Sequence, residues 1–201
     1  MIERAEEINK FWLGRVEETI IPSEHRARVW FGEDPKTDQE IKSLFNIDLE
    51  KAIKGEYDSW QKNSRSQLAL ILLLDQFTRH IYRDTPEAFA QDPKALAVCM
   101  QGMSIEADHS LSLIERVFYY FPLLHSENIH HQEQSMRAYQ VLAELAFSET
   151  RVIYDSFLRF ANHHYGVIQR FGRFPQRNRV LNRDSTPEEI VYLREIEASM
   201  E

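Results

Sequence analysis

The sequence predicts an all-α fold, and three observations carry that prediction. Turn formers are scarce, with six Gly and seven Pro in 201 residues, which favours long elements and short connections. No stretch alternates convincingly with period two, whereas apolar residues recur at helical spacing. Helix-start and helix-stop signals punctuate the chain often enough for about eight to ten helices. One domain over residues 1–201 is expected, with helix pairs stacked as an irregular solenoid or packed as an orthogonal bundle.

The elements follow in order. Residues 2–18 read as a first helix, ending near Ile20 and Pro22. Asp38 can cap "QEIKSLF", and Asp48 can cap "LEKAIKG", which stops at Gly55. Ser64 or Ser66 opens "QLALILLLDQFTRHIYR", the strongest helix of the chain. Thr85-Pro86 and Asp92-Pro93 each pair a capping residue with proline at the first helical position. "SLIERVFYYF" is stopped or kinked at Pro122. Ser126 opens a helix to about Phe147, and another runs from about Thr150 to Phe171, ending near Gly172. Thr186-Pro187-Glu188-Glu189 is a capping box for the last helix.

Composition excludes several function classes. The formal charge of −8 argues against general nucleic-acid binding, so no nucleic-acid partner is expected and any anion site must be local. The longest apolar runs, "LALILLL" and "FYYFPLL", fall far short of the roughly 20 residues that cross a bilayer, so no membrane partner is expected. The start "MIERAEEINKFW" lacks the apolar run of a signal peptide. The single Cys99 fits a reducing compartment, and the expected location is the cytoplasm. No nucleophile elbow, P-loop or dinucleotide fingerprint occurs, and no cofactor is expected.

Four stretches can carry chemistry. In "LLLDQFTRHIYR", Asp75, Arg79 and Arg83 are spaced four apart on one helix face. They are either a surface ladder of ion pairs or the ionic border of a cleft. In "FYYFPLLHSENIHHQE", His125 follows a helix break, while capping explains Ser126 and the first-turn position of Glu127. In "FLRFANHHYGVIQRFGRF", a helical wheel places His164 at the edge of the apolar arc and His163 on the solvent side. Glu106…His109 and Glu127…His130 have the Glu-x-x-His spacing of di-iron bundles. The first lies in a probable loop, however, and Pro122 separates the two, so no metal is expected.

The fourth stretch is "RFGRFPQRNRVLNRDSTPEE", which gathers Arg170, Arg173, Arg177, Arg179 and Arg183 without a lysine. All seven lysines of the chain lie at or before Lys94. Arginine's planar fork suits fixed, bidentate contacts to carboxylate or phosphate. The partners are either a small anionic ligand or the protein's own acids, including Asp75, Glu127 and the acid-rich tail.

Taken in order, "LLDQFTRHIYR", "FPLLHSE", "HHYGVIQRFGRFPQRN" and "STPEE" resemble the bacterial family catalogued as domain of unknown function 924. The resemblance spans most of the chain and implies an all-helical, TPR-like arrangement, with no established activity to carry over. Its signature falls here on Asp75, Gln76, Phe77 and Arg79, then on Pro122, His125, Ser126 and Glu127. It continues through His164, Ile168, Arg170 to Pro175, Arg177 and Asn178. Three departures stand out. His80 replaces an asparagine, Gln176 replaces a histidine, and "LNRDS" replaces "LGRES".

Together these residues imply a cleft with His125, His164, Asp75 and Glu127 as the catalytic set. Arg79, Arg173, Arg177 and Asn178 form the ligand-binding wall. Two functions are carried forward: an enzyme acting on a small anionic substrate, and a non-catalytic helical groove for an acidic peptide or anionic metabolite.

Overall fold

The computed structural model describes residues 2–14, 24–32 and 34–200. Helix α1 (Ile2–Leu13) is followed by α2 (Glu24–Phe31) and α3 (Pro35–Ile53). The expected extension of the first helix to residue 18, and its stop near Ile20 and Pro22, lie outside the described residues. Next come α4 (Ser64–Ile71), a π-helical turn (Leu72–Phe77) and α5 (Thr78–Ile81), which run on as one rod over 64–81. After it come α6 (Asp92–Ser104), α7 (Leu113–Tyr119), the one-turn α8 (Phe121–Leu124), α9 (Ile129–Leu145), α10 (Arg151–Phe171) and α11 (Pro187–Met200). The described residues form nine separate helices and no strand, once α4–α5 and α7–α8 are each taken as one.

The rod is the centre of the molecule. Every residue from 66 to 78 is buried, and α1, α3, α6 and α7 pack around it. That all-round burial explains the unbroken apolar run "LALILLL", which has no polar face to give up. The largest helix pair is α9 on α10. A second, smaller core of Val167, Ile168, Phe174 and Tyr192 fastens the chain after α10 to α11. No helix among the described residues is long and apolar enough to cross a membrane.

Several helix starts fall elsewhere than expected, for one shared reason. Asp34 caps α3 through its contacts to the Lys36 and Thr37 N–H groups, and Asn63 caps α4. Asp38 instead holds His80 and Arg83 at 2.7 and 2.6 Å. Asp48 is buried within α3, where it pairs with Arg4 and accepts from the Tyr57 hydroxyl at 2.7 Å. Both acids, expected as caps, serve long-range ion pairs instead, which outweigh a local cap. Arg83 does not extend a ladder from Asp75, because the rod ends at Ile81. The expected ends at Gly172, in the left-handed region with φ 69°, and at the Thr186–Glu189 capping box are present.

Candidate functional site

The site begins at the π turn, which sets Asp75 inside the rod with none of its surface exposed. Such turns recur at functional positions. Across from it, Pro122 opens the single turn α8, and His125 is the C-cap of that turn. His125 Nδ1 lies 2.7 Å from Asp75 Oδ1. A carboxylate only accepts, so Nδ1 donates and the lone pair resides on Nε2. Nε2 has no protein partner among the described residues and is not sealed from solvent.

Burial works to raise the Asp75 carboxyl, but His125 and Arg79 outweigh it and hold the group below the ordinary carboxylate range. Burial, helped by Arg79 and opposed by Asp75, holds the His125 imidazole below its usual value. The pair is therefore an ionised carboxylate and a neutral imidazole near pH 7.

Asp92 is the residue that sequence reasoning missed. Read as a cap, it is the first residue of α6, and no side chain caps that helix. Its carboxylate instead takes Arg79 in a fork, at 2.9 and 3.0 Å, and Arg177 at 3.3 Å. Arg79 also reaches the Asp75 backbone carbonyl and lies 3.6 Å from its carboxylate. Arg177 sits in the turn Pro175–Arg177 with its guanidinium 4.7 Å from the centres of both Phe89 and Phe174. It donates to the His125 carbonyl at 2.9 Å. Burial, with Arg79 adding, brings Arg177 down to about 10. Of five guanidinium N–H groups, only two have protein acceptors among the described residues.

These groups converge on a pocket of about 350 Å³. His125, Ser126, Glu127, Asp92 and Arg177 line it, and Phe89, Pro86, Leu96 and Leu181 supply apolar wall. Of the eight residues expected to form the site, His125, Glu127 and Arg177 line the pocket, and Asp75 and Arg79 stand directly behind it.

The other three lie apart from the lining. His164 packs on Phe160 and Phe174, with Nδ1 donating to the Phe160 carbonyl at 3.0 Å. It is thus one aromatic ring from Arg177, and burial brings it down to about 3. His163 is exposed. Arg173 grips Glu189 at 2.7 and 2.8 Å and the Asp184 carbonyl at 2.7 Å. Asn178 is buried between Glu189, Ser185 and Arg183.

The arginine cluster therefore divides. Arg170 pairs with Glu188, Arg173 with Glu189, Arg179 with Asp84, and Arg183 with Glu127. Glu127 also accepts the Phe174 N–H at 2.8 Å, and is so committed to holding the C-terminal segment. Arg177 alone of the five turns into the pocket. The two Glu-x-x-His pairs do not meet: Glu127 is taken by Arg183, while Glu106 and His109 are surface residues 3.9 Å apart. Among the described residues no group of three or more His, Cys, Asp or Glu side chains is placed to hold a metal ion.

A larger groove of about 760 Å³ between α2 and α10 is lined by Trp30, Phe31, Phe157, Phe160 and other mainly apolar residues. A second pocket of about 530 Å³ is lined by Asp108, His109, Arg116 and Tyr120; of the three, the 350 Å³ pocket is the one that the Asp75–His125 pair adjoins.

Fold and site define a class: a helical bundle built around a buried, mainly apolar rod, with a small pocket bordered by His125, Asp92 and Arg177 near the rod's ionic end. The chain belongs to the family of bacterial proteins of unknown function designated DUF924, whose model matches residues 8–197. A solved protein of unknown function from Agrobacterium tumefaciens is 33% identical, with a TM-score of 0.81 over 96% of this chain and 98% of that one. No curated protein matches the chain.

Proposed function

We propose that this protein is an enzyme that binds a small amphipathic anion in the 350 Å³ pocket and uses His125 as its acid–base group. The observation that carries this reading is the Asp75–His125 pair, 2.7 Å apart, beside an under-compensated arginine. A neutral imidazole with its second nitrogen held by a buried carboxylate is equipped to take and return a proton at Nε2. Asp75 and Asp92 both face Arg79, which leaves Arg177 short of negative charge and with open donors. A carboxylate or phosphate fits that deficit.

The apolar wall asks for a non-polar portion in the same ligand, and a volume at the small end of ligand pockets suits a metabolite more than a peptide. The single free, buried Cys99 supports work in a reducing compartment, as the cytoplasm is. The test is a thermal-shift screen with small carboxylates and phosphates. A subset should raise Tm in the wild type and lose most of that effect in Arg177→Lys. Equal gains in both proteins would remove the anion role of Arg177.

A further inference from the structure

Ser126 has a role that its place in the sequence hides. It reads as the cap of the helix that follows, yet α9 starts at Ile129 and is capped by Asn128, whose Oδ1 accepts from the His130 N–H at 2.8 Å. The Ser126 hydroxyl is thereby released from capping. Its oxygen lies 2.8 Å from His131 Nδ1 and accepts a longer bond, 3.3 Å, from the Asn128 N–H.

Ser126 lines the pocket beside His125 and Arg177, whereas His131 does not. A hydroxyl on a pocket-lining residue with an imidazole nitrogen in hydrogen-bond reach is a pairing in which the ring can take the proton as the oxygen attacks. The backbone under the serine is fixed. Gln132, fully buried, donates through Nε2 to the carbonyls of Ser126 and Leu124, each at 2.7 Å. Burial, with His130 adding, keeps His131 below its ordinary value, so the ring is neutral at pH 7, and in its Nε2–H tautomer Nδ1 accepts from the Ser126 hydroxyl.

We propose that Ser126 is a nucleophile activated by His131, and that the pocket carries out acyl transfer on a small ester or amide bearing an anionic group. This rests on the reading of the pocket given above. Ser126 Oγ adds to the acyl carbon while its proton passes to His131 Nδ1. The adduct collapses with cleavage of the bond to the leaving oxygen or nitrogen, which takes a proton from water in the pocket while half-buried His131 releases its own to solvent. Water then adds to the acyl-serine, and His125 Nε2 takes its proton. The Oγ–acyl bond breaks, and the serine recovers the proton from His125. The products are a carboxylic acid and an alcohol or amine. No oxidant, reductant or cofactor is consumed.

The test uses the full chain and a fluorophosphonate, which forms an Oγ–P bond with loss of fluoride. Intact mass and peptide mapping should show one adduct per chain on Ser126, absent in Ser126→Ala. In His131→Gln, labelling should slow by about tenfold or more, as for a lost general base. Circular dichroism and Tm establish that both variants are folded. Ser126→Cys supplies an independent arm: its thiol should react with iodoacetamide faster when His131 is present than when it is glutamine.

Two outcomes overturn the proposal: an unlabelled Ser126 in the wild type, or labelling and alkylation rates that ignore His131. Anion-induced stabilisation that persists in a protein whose Ser126 stays unlabelled would reject the nucleophile and keep the pocket reading. Labelling without any anion effect would support the nucleophile and reject the anion.

Discussion

Replacing Asp75 by asparagine keeps the side chain's shape and removes its charge. The amide oxygen of the substituted side chain would still accept from His125 Nδ1–H, which lies 2.7 Å from the present oxygen. The new amide nitrogen would stand where Oδ2 now accepts from Gln76 Nε2, so donor would face donor. One charge-assisted bond is lost, a cost of about 1.5–3 kcal/mol. Arg79 also loses a carboxylate at 3.6 Å but keeps Asp92 at 2.9 and 3.0 Å. That remaining partner holds the total below the roughly 3–5 kcal/mol of a buried ion pair broken outright.

The expected loss is therefore about 3 kcal/mol, or a urea midpoint lower by about 1.5 M at an m-value near 2 kcal/mol/M. A second readout separates electrostatics from packing. Burial and Arg79 lower His125, while Asp75, with Asp92 adding, raises it. In Asp75→Asn the His125 pKa, followed by NMR titration, should fall further. A stability change under about 0.5 kcal/mol, or a His125 pKa that rises, would refute the reasoning.

Other outcomes follow from the same geometry. Arg173→Lys should lower Tm equally with and without a bound anion, because the fork it replaces grips Glu189 and not the pocket. A loss seen only with ligand present would put Arg173 back in the binding wall. Asp92→Asn should lower stability, since two guanidinium groups share that carboxylate, and should tighten anion binding at Arg177 by removing its competitor; calorimetry reads the second effect. His125 and His164 both sit below their ordinary 6.5, His164 at about 3, so the unfolded chain takes up their protons first. Their contribution is then complete above about pH 6.5 and is lost as pH falls toward 3. His164→Gln should show a flatter Tm profile across that window, and an unchanged slope would contradict the assignment.

The all-α architecture, and the main helices from Ser64 onward, were legible because scarce turn formers and apolar spacing are properties of the chain itself; the two helices expected after Asp38 and Asp48 are the single α3, and Thr85-Pro86 starts only the short turn Pro86–Ala88. Three acids that the sequence offers as caps serve otherwise, Asp48 from well inside a helix. Asp38, Asp48 and Asp92 are each used by an arginine distant in sequence. Local propensity favours a cap by about 1 kcal/mol, and a fixed pair with a partly buried arginine overrides it. The buried pair Asp75–His125 joins residues 50 positions apart, and only the polarity of an aspartate in an apolar rod hinted at it. The composition of the arginine stretch signalled bidentate pairing but not which partner each arginine takes.

The account turns on His125 and Arg177 sharing one ligand. The most direct measurement is a titration of ¹⁵N-labelled protein with the anions that raise Tm, following the His125 ring nitrogens and the Arg177 Nε resonance together. The expected result is a saturable shift of both with one dissociation constant, weakened about tenfold or more in Arg177→Lys, as for a lost charge-assisted bond. An anion that stabilises the protein while leaving the His125 ring unmoved, or that shifts it equally in Arg177→Lys, would contradict the account.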